Sequence, residues 1–387
     1  MFDFFQHKNR PKVIVCCGSG GVGKTTISAT IALHGALSGL NVMVLTIDPA
    51  RRLADSLGID HIGLETRQVP VQKFREAGLQ PSGELHTMML DTKRTFDRLI
   101  LRYASRDVQK QIFANRYYQY LSSELAGSHE YMAMEKVYEL YHENIYDLIV
   151  LDTPPSRRAL DFLDAPRRLT NLLDHNLFWK LFRPYAKAGR WGLKMINAMA
   201  SPFIRVIGPV MGKNVFEDVS TFFRLWDDVL FDGFRQRAAA VSDLLSSSET
   251  TFIAITSPMR GPMREALMLH RTLAENHMPF AGFIVNRLHP MLPEKRPPAP
   301  IRWPKEITSV LGRKIQCNFE RFHELGKSDR AAIRELLANV EPGVEIRGIP
   351  CFERDIYDVE GLLAIREKLF FKNCSILPAQ TRHEHAL

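Results

Sequence analysis

The sequence predicts an α/β fold, a doubly wound and mostly parallel sheet with an inserted helical subdomain. Three observations lead to this prediction. Short apolar runs rich in valine and isoleucine alternate with helical stretches along most of the chain. A glycine-rich loop joins the first apolar run to the first helix. In the middle of the chain, about a hundred residues show no strand pattern and have the apolar spacing of helices instead.

Seven apolar runs have the length and composition of strands that are buried on both faces. We interpret residues 1–387 as one domain in which 95–145 and 156–245 are helical and 165–240 form the inserted subdomain. The proline-rich run 291–300 predicts an exposed loop. The predicted strands are residues 12–17, 41–47, 85–90, 146–152, 251–257, 280–286 and 343–350.

The composition is that of a folded globular protein, 45% hydrophobic and 24% charged. The first residues lack the pattern of a secretory signal, and no run of about 18 apolar residues predicts a membrane-spanning helix. The five cysteines form no CxxC pair, which argues against a disulfide framework or a cysteine zinc site. We therefore expect a cytoplasmic protein. Its net charge of +8 favours anionic partners without choosing among nucleic acid, acidic lipid and nucleotide.

Residues 18–25 read GSGGVGKT and satisfy the phosphate-loop pattern GxxxxGK[ST]. The loop follows a predicted strand and opens a predicted helix over Thr25 to Leu37, which is the context that the pattern requires. Glycines let backbone N–H groups turn towards phosphate oxygens, and the helix N-terminus adds a favourable dipole. Lys24 would bridge the β- and γ-phosphates, Thr25 would ligate Mg²⁺ and Thr26 would bind the α-phosphate. The predicted nucleotide-binding loop comprises Gly20, Gly21, Val22, Gly23, Lys24, Thr25 and Thr26.

Two aspartates end predicted strands and are expected near the loop, because the carboxyl ends of parallel strands converge on the ligand crevice. Asp152 fits the position that holds Mg²⁺ directly or through water, and Asp48 could orient or deprotonate the attacking water. Either one alone could instead cap a helix. Asn286 follows a predicted strand, but no aspartate follows at the spacing of a guanine-reading element. This pattern favours ATP over GTP.

The runs GSGGVGKTT, TIDPARRLADSLG, LDTPPSRRALDFLDAP and VNRLHP together resemble the ArsA-type ATPases over residues 12–365. This group includes the arsenite-pump ATPases and the ATPases that target tail-anchored membrane proteins. The resemblance implies ATP-dependent dimers and makes Asp48 the switch residue that activates water. It also implies that Asn286 contacts adenine and that the loop 350–358, with Pro350 and Phe352, encloses the base. The run DTPPSRRALDFLDAP (152–166) looks like a bacterial branch of this group.

Three features depart from the family pattern. Ser19 stands where these loops carry a signature lysine that reaches the partner's phosphates, which puts activation across a dimer in doubt. The cysteine pair that binds zinc in the eukaryotic dimer is missing, and so are the clustered cysteines of an arsenite site. Four arginines flank the switch aspartates and could compensate for the lysine, or could simply face solvent. They are Arg51, Arg52, Arg157 and Arg158.

Residues 175–213 carry seven basic and no acidic residues among large apolar side chains. Such a segment suits an anionic membrane surface or a hydrophobic client helix, although packing against the domain's own helices is the ordinary alternative. Residues 125–140 predict a helix with Tyr131, Met134, Val137, Tyr138 and Tyr141 near one face, as a second groove wall or a dimer contact. His129 and Glu130 lack a third metal ligand. Residues 361–373 could be a membrane-targeting helix, but packing at the sheet edge is favoured.

Three functions compete on these grounds. The first is a Mg²⁺-dependent ATPase that switches between open and closed dimers and binds a hydrophobic client or the membrane surface. The second is a weakly active regulatory subunit paired with an ArsA-like paralogue. The observation behind this hypothesis is Ser19, which stands in place of the signature lysine. The third is a partitioning-type ATPase that binds nucleic acid. Only the net charge supports the third, and the basic residues lie among apolar ones, which argues against it.

Overall fold

The computed structural model describes residues 10–47, 52–59, 62–116, 118–119, 122, 128–153, 231–290 and 309–371. Residue contacts divide the chain into two compact units. The first unit comprises residues 1–89, 143–159 and 246–387, and the second comprises 90–142 and 160–245. The basic segment 175–213, the proline-rich run 291–300 and most of the predicted subdomain 165–240 lie outside the described residues.

Within the described residues, the first unit contains an eight-stranded sheet in the order β3-β4-β2-β5-β1-β6-β7-β8. Every neighbouring pair is parallel except β3 and β4. The predicted doubly wound, mostly parallel sheet is therefore confirmed, and each of the seven predicted runs is a strand. The strands are β1 (Val13–Cys17), β2 (Asn41–Thr46), β3 (Arg67–Gln68), β4 (Glu84–Met89), β5 (Leu148–Asp152), β6 (Thr250–Thr256), β7 (Phe280–Leu288) and β8 (Glu345–Pro350).

Helices follow most strands, as the alternating pattern predicts. The described helices are α1 (Lys24–Leu37), α2 (Arg52–Leu57), α3 (Val71–Glu76), α4 (Thr92–Tyr103), α5 (Arg106–Ala114), α6 (Ser128–Glu143), α7 (Phe231–Ser246), α8 (Arg260–Glu275), α9 (Ser309–Ala338) and α10 (Val359–Arg366). A π-helical turn, Glu367–Phe371, continues α10. Among the described residues, no helix is both long enough and apolar enough to cross a bilayer.

The core of the first unit lies between the sheet and α1. The side chains of β1 and β5 are almost completely buried, as expected for central parallel strands. On the C-terminal helix, Leu362, Ile365 and Leu369 are buried in the same core cluster. That helix packs on α1, and its π-helical turn contacts the edge strand β8. These contacts confirm the prediction that this segment packs at the sheet edge. Its apolar side chains are buried inside the protein.

The second unit is helical in its described part, with contributions from α4 to α7. Tyr131, Met134 and Val137 on α6 are buried at 0–1% exposure, so these three form core and not an exposed groove wall or dimer contact. Tyr138 and Tyr141, which the sequence predicts near the same face, are half-buried. Glu135 on the same helix is also buried and accepts a hydrogen bond from Arg237 Nε at 2.6 Å. Burial raises the pKa of Glu135 to about 7, although the Arg237 guanidinium opposes that rise. The side chains of His129 and Glu130 lie outside the described part.

Helix α9 changes character along its length. In its C-terminal half, Ile333 and Leu336 are buried at 1–2% exposure. On the same face of the N-terminal half, roughly two to seven turns earlier at 3.6 residues per turn, the apolar side chains are exposed among the described residues. They are Leu311, Ile315, Phe319, Phe322 and Leu325, each 39–46% exposed.

Candidate functional site

The carboxyl ends of three central strands meet at one edge of the sheet. Cys16 of β1 and Thr46 of β2 both pair in register with Asp152 of β5. Residues 18–25, which form the phosphate loop, leave β1 at this edge and enter α1 directly. The fold therefore places the loop, the end of β5 and the start of α1 together, where ligands bind in open α/β sheets.

Two glycines of the phosphate loop are required by geometry. A Cβ atom on Gly18 would collide with the carbonyl oxygen of Ile255 in β6. Gly23, the residue before α1, has a φ of +93°, and a Cβ atom there would collide with the side-chain amide of Asn286. Since L side chains rarely adopt this φ, only glycine fits both the backbone and the space. The loop thus packs tightly against β6 at Gly18 and against Asn286 at Gly23.

Lys24 begins α1 and is 6% exposed. Its Nζ donates a hydrogen bond to the backbone carbonyl of Ser19 at 2.8 Å. The ammonium group is therefore held inside the loop, next to the space that phosphates would fill. A cavity of about 460 Å³ opens there, and its described lining combines the loop, the start of α1, the helix α2 and three later segments: the residue after β5, the end of β7 and the loop before α10. The lining residues are Gly21, Gly23, Lys24, Thr25, Thr26, Arg52, Asp55, Ser56, Thr153, Arg287, Ile356 and Tyr357.

Asp152 ends β5 beside the ends of β1 and β2 and is completely buried. Its Oδ2 accepts a hydrogen bond from the Thr46 hydroxyl at 3.0 Å. The next residue, Thr153, donates its hydroxyl to the carbonyl of Cys16 at 2.7 Å, which ties the end of β5 to β1. Burial raises the pKa of the neighbouring Cys17 thiol to about 12, so this cysteine stays neutral at physiological pH and adds no charge to the site.

Asn286 connects β7 to the phosphate loop. Its Nδ2 donates to the carbonyl of Val22 at 2.8 Å, and its Oδ1 accepts from the backbone N–H of Arg287 at 2.9 Å. Arg287 has a φ of +63° and lies where the register of β7 against β8 shifts, between Val285 and Leu288. The Asn286 side chain therefore holds the phosphate loop through Val22, a role that the sequence pattern does not predict.

Ser19 occupies a position with little exposure, 8% of its surface. Its hydroxyl donates a hydrogen bond to Oε2 of Glu265, which lies on the second turn of α8. The loop is thus held from both sides, by Asn286 through Val22 and by Glu265 through Ser19. Glu265 is 246 residues from Ser19 along the chain, and no sequence pattern predicts their contact.

Comparison with known proteins decides the family. The model of the anion-transporting ATPases (ArsA ATPases) matches residues 11–325. The chain belongs to this family. It is 26% identical over 255 residues to the putative arsenical pump-driving ATPase 1 of Aquifex aeolicus, covering 64% of this chain and 55% of that protein. It is 28% identical over 247 residues to the ATPase GET3 of Malassezia globosa, covering 63% and 62% respectively.

A third relative, the ATPase GET3C of Arabidopsis thaliana, is 26% identical over 315 residues, with 79% of this chain and 73% of that protein covered. The match to the first two relatives spans only 55–62% of their own length. The family resemblance stated from the motifs is confirmed by the family model and by these relatives. Activity, substrates and partners are taken up below as proposals.

The anion-transporting ATPase fold places several predicted residues around the cavity and others away from it. Lys24, Thr25 and Thr26 line it, and so does Arg52, one of the four arginines near the switch aspartates. Pro350 ends β8 and Phe352 packs against the core, whereas Ile356 and Tyr357 of the same segment line the cavity. Asp48, Arg51, Arg157 and Arg158 lie outside the described residues. Asp55 lies within the quoted run TIDPARRLADSLG and Arg287 within VNRLHP, but the sequence analysis gave neither residue a role at the site.

The donor atoms at this site fit a nucleotide with Mg²⁺. Magnesium prefers oxygen ligands and is usually held by one or two protein groups together with phosphates and water. The Thr25 hydroxyl at the start of α1 and the buried Asp152 carboxylate are oxygen donors of this kind. In the described part of the chain, no group of three or more His, Cys, Asp or Glu residues could enclose a metal ion by itself. Phosphate oxygens and water would have to complete the coordination.

Proposed function

We propose that this member of the family hydrolyses ATP with Mg²⁺. The observation that carries the proposal is the phosphate loop itself, in which a buried lysine and a helix N-terminus line one cavity, beside the strand that ends at the buried Asp152. A helix N-terminus and loop N–H groups suit the phosphates, and Lys24 supplies a positive charge at low exposure. The missing aspartate after Asn286 favours adenine over guanine.

Each residue then has a defined task. Lys24 exchanges the carbonyl of Ser19 for phosphate oxygens when nucleotide enters. Thr25 and Asp152 would hold Mg²⁺, Asp152 directly or through water. The bound ion would neutralise charge on the phosphates during transfer. Asp48, two residues beyond the end of β2, is proposed to orient and deprotonate the attacking water. Asn286, Pro350 and Phe352 are proposed for the adenine side, with Ile356 and Tyr357 as the described lining of that segment.

We further propose that ATP binding and hydrolysis switch a dimer that binds a hydrophobic helix or an anionic membrane surface. The basic, acid-free segment 175–213 supports such a partner. The γ-phosphate would draw the switch residues 48 and 152–155 together, and hydrolysis would release them. A cytoplasmic location, with peripheral contact at the membrane, follows from the same proposal.

One observation favours a second candidate, a weakly active regulatory subunit paired with an ArsA-like paralogue. Ser19 carries no positive charge, and its hydroxyl is already bonded to Glu265. The chain therefore offers nothing at this position that could reach a partner's phosphates. In this version the protein binds ATP and depends on the other subunit for turnover.

A direct test compares Mg-ATP binding and turnover of the wild type with Lys24→Ala. We expect tight nucleotide binding and measurable phosphate release in the wild type, and a loss of turnover by at least about a hundredfold in the variant, as for removal of a transition-state donor. Lys73→Ala is the matched control, because Lys73 is a surface lysine on α3 paired with Glu76. Wild-type protein that binds no ATP, or a Lys24→Ala variant that hydrolyses it normally, would contradict the proposal.

A further inference from the structure

A chain of hydrogen bonds runs from the helix α8 to the lysine of the phosphate loop. Glu265 accepts from the Ser19 hydroxyl, and the Ser19 carbonyl accepts from Lys24 Nζ at 2.8 Å. The bond from Lys24 has an ammonium donor, and such bonds are stronger than neutral ones. One residue, Ser19, therefore connects a carboxylate on α8 to the ammonium group that is to meet the phosphates.

The helix that carries Glu265 is a firm support. Met263, Ala266 and Leu269 anchor α8 with 2–6% exposure, and Leu273 is fully buried. The loop that Glu265 holds is not firm by itself, because four of its eight residues are glycine, the residue that loses most conformational freedom on ordering. A bond from a packed helix to the second residue of such a loop removes part of that freedom before the nucleotide arrives.

We propose that Glu265 is a positioning residue for the nucleotide, which acts through Ser19 to hold the phosphate loop in its binding conformation before ATP binds. The inference rests on the proposed binding of Mg-ATP and goes beyond it, because no part of the proposed mechanism uses Glu265. It gives Ser19 a role that does not require a partner subunit. The serine is the attachment point of the loop, in the position where related loops carry a lysine.

The contact between Ser19 and Glu265 also indicates which group a lysine at position 19 would contact. An introduced ammonium group at residue 19 would lie beside the Glu265 carboxylate and pair with it inside the same subunit. We therefore expect Ser19→Lys alone to gain little turnover. The double variant Ser19→Lys with Glu265→Gln frees that ammonium group, so any gain in turnover should appear there first.

The experiment measures the Mg-ATP dissociation constant and kcat for Ser19→Ala, Glu265→Ala, their double variant and Glu265→Gln. Each alanine variant should weaken binding about three- to tenfold, the effect of one net hydrogen bond, with kcat within about twofold of the wild type. The double variant should be no weaker than either single variant, because both remove the same bond. Glu265→Gln should keep most of the affinity, since an amide oxygen still accepts from the hydroxyl.

The control is Glu275→Ala at the other end of α8, an exposed glutamate far along the same helix. Unchanged affinity in Glu265→Ala would overturn the inference, and so would losses that add in the double variant. A Glu265→Gln variant as weak as Glu265→Ala would also overturn it, because charge and not the hydrogen bond would then be responsible. Wild-type protein that fails to bind Mg-ATP would overturn the proposed function as well, whereas normal wild-type binding with unaffected variants overturns this inference alone.

Discussion

At the scale of single residues, the site depends on contacts that hold the phosphate loop from outside. The pattern GxxxxGK[ST] predicts the loop, its lysine and its threonine, and the structure places all three beside the cavity. The same pattern gives no sign of Asn286 as a brace on Val22 or of Glu265 as a partner of Ser19. Their separation along the chain is 264 and 246 residues, and such contacts depend on which strands become neighbours.

Gly23→Ala tests whether the brace and the loop backbone act together. The new methyl group must displace the Asn286 amide, and the residue must keep a φ of +93°. We expect Mg-ATP affinity to fall by at least about tenfold, because strain at such a φ costs of the order of 1 kcal/mol and the Val22 bond is lost in addition. The measurement is equilibrium binding of a fluorescent ATP analogue.

The matched control for this change is Gly78→Ala, a glycine with a φ of +74° and open space where the Cβ atom would lie. This alanine has the same backbone strain without the collision. It also lies far from the phosphate loop in sequence. Its stability should fall slightly while its ATP affinity stays normal. Equal affinity in Gly23→Ala and the wild type would show that the Asn286 contact does not matter for binding.

At the scale of secondary structure elements, the sheet was predictable and several contacts between helices were not. Continuous runs of buried valine and isoleucine locate β1, β2, β5 and β6 with errors of one or two residues at the ends. The two-residue strand β3 has no apolar pattern, since both of its side chains are exposed. The packing of α10 on α1 depends on an interior pair that joins residues 34 and 366.

His34 on α1 makes that packing sensitive to acid. Its Nδ1 accepts from Arg366 Nε at 2.8 Å, and its ring stacks on Phe370 with centroids 3.9 Å apart. Burial, with the nearby Arg366 charge, lowers the pKa of His34 to about 4. The unfolded chain therefore takes up this proton first, near its ordinary pKa of 6.5. Stability from His34 is complete above that pH and is lost as the pH falls from 6.5 towards 4.

We expect the free energy of unfolding to decrease by about 2 kcal/mol between pH 6.5 and 4.5 because of this one group. His34→Gln should flatten the pH dependence in that window, measured by urea unfolding at a series of pH values. His277→Asn is the control, since His277 is exposed and has a φ of +54° that asparagine tolerates. An unchanged slope in His34→Gln would refute the assignment.

At the scale of the whole molecule, the comparison shows the family, the proposed dimer rests on the family resemblance, and the proposed client rests on features of this sequence. The net charge of +8 and the acid-free segment 175–213 support an apolar, anionic or membrane-associated partner. Ser19 weighs against a symmetric pair in which each subunit sends a lysine to the other. The sequence could predict the family and the class of ligand. Whether other residues replace the signature lysine that is missing at position 19 does not follow from its absence.

The most direct test is Mg-ATP turnover per subunit over a wide range of protein concentration, with Lys24→Ala as the inactive reference. We expect a specific activity that rises with concentration and then saturates, because two copies must meet to complete a working site. Low activity that stays flat at all concentrations, with ATP still bound, would contradict the homodimer. It would favour the regulatory subunit, which needs a paralogue for turnover.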